Sequence, residues 1–176
     1  MKNNRYEITK TYEQNFINII DIKNYLKITT NEDDNLIEQF INSAIESCEN
    51  YCSLSLFAKK INYIIDDFRS DKIYLPVLPL REIISIKTFS DKEEEMIDCD
   101  DLNKNSREGV IYFTKNFYFK KLEIIYVAGF QDKTNIPRSF IQGIMMHVAQ
   151  MYDCGTYKTI SEDLQKLYQP YRKVKI

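Results

Sequence analysis

The sequence predicts an α+β fold with a helical core: a long N-terminal helix packed on C-terminal helices, with a small, mainly antiparallel β region in the middle. Three observations predict it. Apolar residues recur every three or four positions from Leu36 to Cys52. A second apolar helix is expected from Pro137 to about Asp153. Between the two lie short runs rich in Ile, Tyr, Phe and Val, separated by polar turns.

The elements follow in order. "DIKNYLKI" (21–28) reads as a short helix capped by Asp21, with Ile22, Tyr25 and Leu26 on one side. The helix around 31–52 takes Thr30 or Asn31 as its cap. Glu32, Asp33 and Asp34 set negative charge at the positive end of its dipole. Its stripe is Leu36, Ile37, Phe40, Ile41, Ala44, Ile45, Cys48, Tyr51 and Cys52. Five strands are expected at "AKKINYIIDDF", "DKIYLPVLP", "EIISIKTFS", "GVIYFT" and "KLEIIYVAGF". Pro76 and Pro79 mark an edge or a connection, because proline cannot donate to a ladder. The acidic run Asp91–Asp101 reads as a hairpin or long loop projecting from the sheet.

Pro137 suits the first turn of the last long helix, and Gly155 its end. Phe140, Ile141, Ile144, Met145, His147, Val148, Met151 and Tyr152 cover two adjacent faces, so that helix is largely enclosed. Gly143 inside it costs about 1 kcal/mol relative to Ala, which points to a close packing neighbour. A closing helix starts at Ser161 and is disturbed near Pro170. The 176 residues are expected to form a single domain, with an arm over 1–19 and a closing segment over 161–176.

Composition narrows the function. A net charge of -2 gives no footprint for broad nucleic-acid binding. No apolar run reaches the length of a membrane span, and the first residues lack a signal-peptide core, so a cytosolic chain is expected. No phosphate loop, dinucleotide fingerprint, zinc-protease motif, nucleophile elbow or calcium loop is present. No catalytic group, metal or cofactor is expected. Cys48 and Cys52 share a helix face and could meet His147 and Cys154 around zinc, but no CxxC pair exists and buried thiols act as small hydrophobes. Two other readings are an enzyme using His147 with Asp153 or Cys154, and a nucleic-acid accessory protein using the basic end, Lys166, Arg172, Lys173 and Lys175.

Four stretches in order carry a further likeness: "DIKNYLKITTNEDDNLIEQFINSAIESCENYCSLSL" (21–56), "YLPVLPLREIISI" (74–86), "IIYVAGFQDKTNIPRSFIQGIMMHVAQMYD" (124–153) and "LQKLYQPYR" (164–172). Together they resemble the head–tail connector (adaptor, or head-completion) family of long-tailed phages, prophages and gene transfer agents. The first twenty residues and the acidic insertion around Glu93–Asp101 lie outside that pattern. The resemblance implies a structural protein of virion assembly, present in the bacterial cytoplasm and then in the virion neck. It implies a ring, commonly about twelvefold, whose head-to-tail contacts need two complementary surfaces on each subunit. The ring sits under the portal and extends the DNA channel. Its partners would be the portal protein, neighbouring copies and the next neck or tail-completion protein. DNA would pass without specific binding, and no membrane is involved.

By the same resemblance, Leu164, Leu167, Tyr168, Tyr171 and Arg172 are expected to dock on the portal or a neighbour. The residues alone leave a second reading open, in which Leu164 and Leu167 complete the subunit's own core. If the chain forms a ring, Glu93, Glu94, Glu95, Asp98, Asp100 and Asp101 are expected to face the channel or its rim, where carboxylates repel phosphates.

Overall fold

The computed structural model describes residues 4–12, 16–90, 94–98, 102–106 and 108–172, with backbone alone at 114–117. The chain forms two compact units, residues 1–13 with 57–131 and residues 14–56 with 132–176.

Among the described residues, the first unit is a six-stranded antiparallel sheet. Its strands are β1 (Asn4–Tyr12), β2 (Ala58–Tyr74), β3 (Leu80–Phe89), β4 (Glu94–Ile97), β5 (Asn103–Asn105) and β6 (Val110–Ala128). The spatial order is β1-β2-β6-β3-β4, with β5 also on β6. The expectation of a helical core beside a small β region is therefore corrected. The sheet is a body of its own, built on two strands of 17 and 19 residues. The sequence disguises their length. The break expected between "AKKINYIIDDF" and "DKIYLPVLP" falls at Arg69–Ser70, yet β2 runs straight through it. Asp67 takes a left-handed φ of 53°, and the β2–β6 register shifts between Ser70 and Lys72, so irregularities absorb the polar residues without ending the strand. The gap expected at 115–120, between "GVIYFT" and "KLEIIYVAGF", likewise lies inside β6. Pro76 and Pro79 fall in the connection from β2 to β3.

One face of the sheet holds its core, including Ile61, Tyr63, Ile65, Ile86, Leu122, Ile124 and Tyr126. Tyr126 is fully buried. Its hydroxyl donates to the Val77 carbonyl at 3.3 Å and accepts from the Val77 N–H at 3.2 Å, tying the β2–β3 connection to β6. The stretch expected as an arm over 1–19 supplies β1 and the first residue of a helix.

The second unit is helical: α1 (Ile19–Leu26), α2 (Asp34–Cys52), α3 (Arg138–Cys154) and α4 (Glu162–Tyr168), with a 3-10 turn at Gln169–Tyr171. Asn18 rather than Asp21 caps α1, accepting from the Ile20 N–H. Asp33, not Thr30 or Asn31, stands at the N-cap of α2. Lys23 of α1 bridges Asp34 at 2.7 Å. α2 packs on α3, burying Ile37, Phe40, Ala44 and Cys48 from one helix and Phe140, Ile144, Val148 and Met151 from the other. Gly155 closes α3 in the left-handed conformation at φ 64°.

Candidate assembly surfaces

His147 is the residue that most invites a catalytic reading, and its surroundings are structural. It is fully buried in α3. Its Nε2 lies 2.8 Å from the Lys158 carbonyl oxygen, so the tautomer with a proton there ties the α3–α4 connection down. Nδ1 is buried with no hydrogen-bond partner among the described residues. Asp153 and Cys154 are exposed. On the same helix they lie about 9–10 Å along the axis from His147, beyond proton-transfer reach.

Cys48 and Cys52 are buried on α2, and Cys52 Sγ lies 3.9 Å from the Tyr168 carbonyl oxygen. Hydrogen bonding to Cys52, followed by burial, pushes the Cys48 thiol up, so it stays protonated and apolar at neutral pH. Among the described residues, no group of three His, Cys, Asp or Glu side chains could hold a metal ion.

The closing segment divides by burial. Leu164 and Tyr168 are completely buried in the helical unit. Tyr168 stacks on Phe140 at 5.8 Å between centroids and lies 6.4 Å from the Tyr51 ring. Burial pushes its phenol up, with Cys48 as a further cause. A Cβ added at Gly143 would stand 2.5 Å from the Tyr168 ring and hydroxyl. Gly143 is thus the gap in α3 that admits Tyr168, the neighbour its presence in a helix interior called for. Leu167 and Tyr171 are half-buried and Arg172 is exposed. Tyr171 lies 4.7 Å from the Phe140 ring, and the Arg172 guanidinium sits 5.0 Å over Tyr51. Lys173 and Lys175 lie outside the described residues.

The acidic run is partly strand. Glu94–Ile97 form β4 against Ile86–Phe89 of β3. Glu94 bridges Lys87 at 2.8 Å, and Glu95 and Asp98 are exposed. Glu93, Asp100 and Asp101 lie outside the described residues. Sequence reasoning missed the edge strand β1. Its signal was the alternation in "NRYEITKTY", in which Tyr6 and Ile8 occupy one side.

Comparisons with known proteins agree on the fold. Three solved structures cover nearly the whole chain. One is of the neck of an empty gene transfer agent particle computed with C6 symmetry: TM-score 0.78, 15% identity, 98% of this chain and 97% of that one. Another is of the virion of a native gene transfer agent particle: TM-score 0.76, 14% identity, 97% and 96% covered. A third is of the neck of a native particle computed with C12 symmetry: TM-score 0.73, 15% identity, 98% and 97% covered. At such identity the likeness shows the fold. No curated protein matches the chain. The model of the head completion protein family matches residues 15–166, from the residue before Phe16 through most of α4. The chain belongs to the head completion protein family.

Proposed function

We propose that this chain is a structural adaptor of a phage or prophage neck: a ring-forming subunit seated under the portal, connecting head to tail and extending the DNA channel. The family match over 15–166 carries the reading. The fold shared with chains in gene transfer agent necks, one of them computed with C12 symmetry, supports a ring. The role is mechanical, with no reaction catalysed and no cofactor. Its partners are neighbouring copies, the portal protein and the next neck or tail-completion protein, met in the bacterial cytoplasm and kept in the virion.

The tail docks on the portal or a neighbour through Leu167, Tyr171 and Arg172, which keep exposed surface, while Leu164 and Tyr168 anchor it from inside. An aromatic and an arginine on one short segment suit a protein interface. The carboxylates at Glu93, Glu94, Glu95, Asp98, Asp100 and Asp101 face the channel or its rim, repelling phosphates within about 8 Å at physiological salt.

Size-exclusion chromatography with light scattering, with and without the portal protein, tests the reading. The expected result is a ring-sized complex with portal. A chain that stays monomeric in its presence, at concentrations where the portal itself is assembled, overturns it. Particles in which Glu93, Glu94 and Glu95 are all changed to lysine should package or eject DNA poorly. Normal packaging and ejection would remove the channel assignment.

A further inference from the structure

The helical unit carries an open groove of about 440 Å³ between α1 and the first two turns of α3. Phe16 and Ile17 are buried at its base, and Ile141 and Met145 of α3 stay half-buried along it. Its rim is more polar. Asp21 and the 42% exposed Tyr25 stand on α1, and Lys133 stands on a 3-10 turn ahead of α3. Asp21 and Lys133 are exposed and form no ion pair with any described residue.

The closing segment of the same unit carries a counterpart. Asp163, Leu167 and Tyr171 are spaced by four, so they form one stripe along α4 and the turn that follows it. All three keep exposed surface, and so does Arg172 after them, its guanidinium held over the Tyr51 ring. Asp163 is tied to Lys166 alone, at 3.5 Å on the open surface. The stripe and the groove lie on opposite sides of α3. Tyr168 fills the gap at Gly143. Ile141 and Met145 are each two residues from Gly143, which turns them about 200° away on a helix of 3.6 residues per turn. The groove therefore opens away from the copy's own tail.

We propose that the tail stripe of one copy docks in the α1–α3 groove of its neighbour in the ring. This rests on the ring-adaptor reading above and names the surface that receives the tail. Every copy presents both surfaces, and a plug and a socket on opposite sides of one helix make a heterologous contact, the type that closes into rings. Leu167 and Tyr171 cover Ile141, Met145 and Tyr25, a leucine and an aromatic anchor filling an apolar groove. Each surface carries one charge of each sign. Arg172 meets Asp21 as a forked donor on a carboxylate, and Asp163 meets Lys133. The plug is already held in shape from inside by buried Leu164 and Tyr168, which keeps the ordering cost of docking low.

The test uses the full chain co-expressed with its portal protein. With p-benzoylphenylalanine in place of Tyr25, irradiated rings should give cross-links that mass spectrometry places within residues 163–172 of the adjacent copy. Asp21→Arg and Arg172→Asp should each leave the circular dichroism spectrum unchanged and lower the yield of rings about fivefold or more, because like charges then face each other at every joint. The two substitutions together should restore the yield. Rings that lack that cross-link, or give it within one copy, on the portal or elsewhere on the neighbour, overturn the docking and leave the adaptor reading standing. So do full-yield rings from either folded single variant, or a double variant that recovers nothing. If a single variant fails to fold, the cross-link from position 25 decides alone. If the unmodified chain forms no ring with its portal, the adaptor reading falls, and the docking falls with it.

Discussion

Gly143→Ala sets two effects of opposite sign against each other. In a helix interior Ala is favoured over Gly by about 0.8–1 kcal/mol, so α3 viewed as an isolated helix predicts stabilisation. The added methyl would stand 2.5–2.6 Å from three atoms of the Tyr168 ring and hydroxyl. That ring is fully buried and stacked on Phe140, so it has no open side toward which to move. Overpacking of a filled site costs about 1–3 kcal/mol, and a contact this short belongs near the upper end. The expected net loss is about 2 kcal/mol, or about 4–8 °C in melting temperature for a chain of this size. Circular dichroism at 222 nm during thermal and urea unfolding follows the helical unit. The decisive measurement repeats the substitution in a Tyr168→Leu background. There the clash is gone and Ala should stabilise by about 1 kcal/mol, giving a coupling of about 3 kcal/mol between the two sites. A Gly143→Ala protein that melts higher than the parent, or the same shift in both backgrounds, would refute the packing account.

Phe40→Ala should cost about 3–5 kcal/mol, because Phe40 is 1% exposed between α2 and its partners and its ring meets Tyr157 edge-on at 5.4 Å. A loss below about 1 kcal/mol in urea unfolding would mean that this face of α2 is not packed. His147→Gln should lower stability modestly and leave ring formation with portal intact, as scored by light scattering. A folded His147→Gln protein that has lost a hydrolytic or transfer activity of the parent would make the residue catalytic. Burial pushes the Tyr126 phenol up, with the hydrogen bond from Val77 working against it. Its folded value therefore lies above the unfolded one near 10, and the neutral phenol's contribution is complete below about pH 10 and lost as pH rises through the folded value. Tyr126→Phe should remove that alkaline dependence from sheet unfolding and cost about 1–3 kcal/mol by stranding the Val77 N–H and carbonyl. An unchanged alkaline profile would count against it.

The helices were legible because their signals are local. The stripe from Ile37 to Cys52, Pro137 ahead of α3, Gly155 behind it and Ser161 before α4 all depend on neighbours within one or two turns. Gly143 went further and announced a close neighbour without naming it. The sheet was misjudged because its length depends on non-local pairing. Asp66 and Lys72 are poor strand formers alone, and only the opposing residues of β6, Lys121 and Tyr112, hold them in the ladder. The same applies to β1, which has a pattern but no strength until β2 supplies its partner.

The tail shows why two sequence readings of one segment need not exclude each other. A short helix has an inside and an outside. On α4 the spacing of four between Leu164 and Tyr168 places both on the inside, and both are fully buried. Leu167, Tyr171 and Arg172 fall between those positions or beyond them and keep exposed surface. Folding and the proposed docking therefore draw on different side chains. Deleting residues 161–176 should remove both at once, lowering the melting temperature because the Tyr168 slot over Gly143 is emptied. Replacing Leu167, Tyr171 and Arg172 with Ser should lower portal binding while the helical unit melts within a few degrees of the parent. If the triple substitution binds portal as well as the parent does, the tail serves the fold alone. If it instead unfolds the helical unit, the exposed side has been assigned to the wrong task.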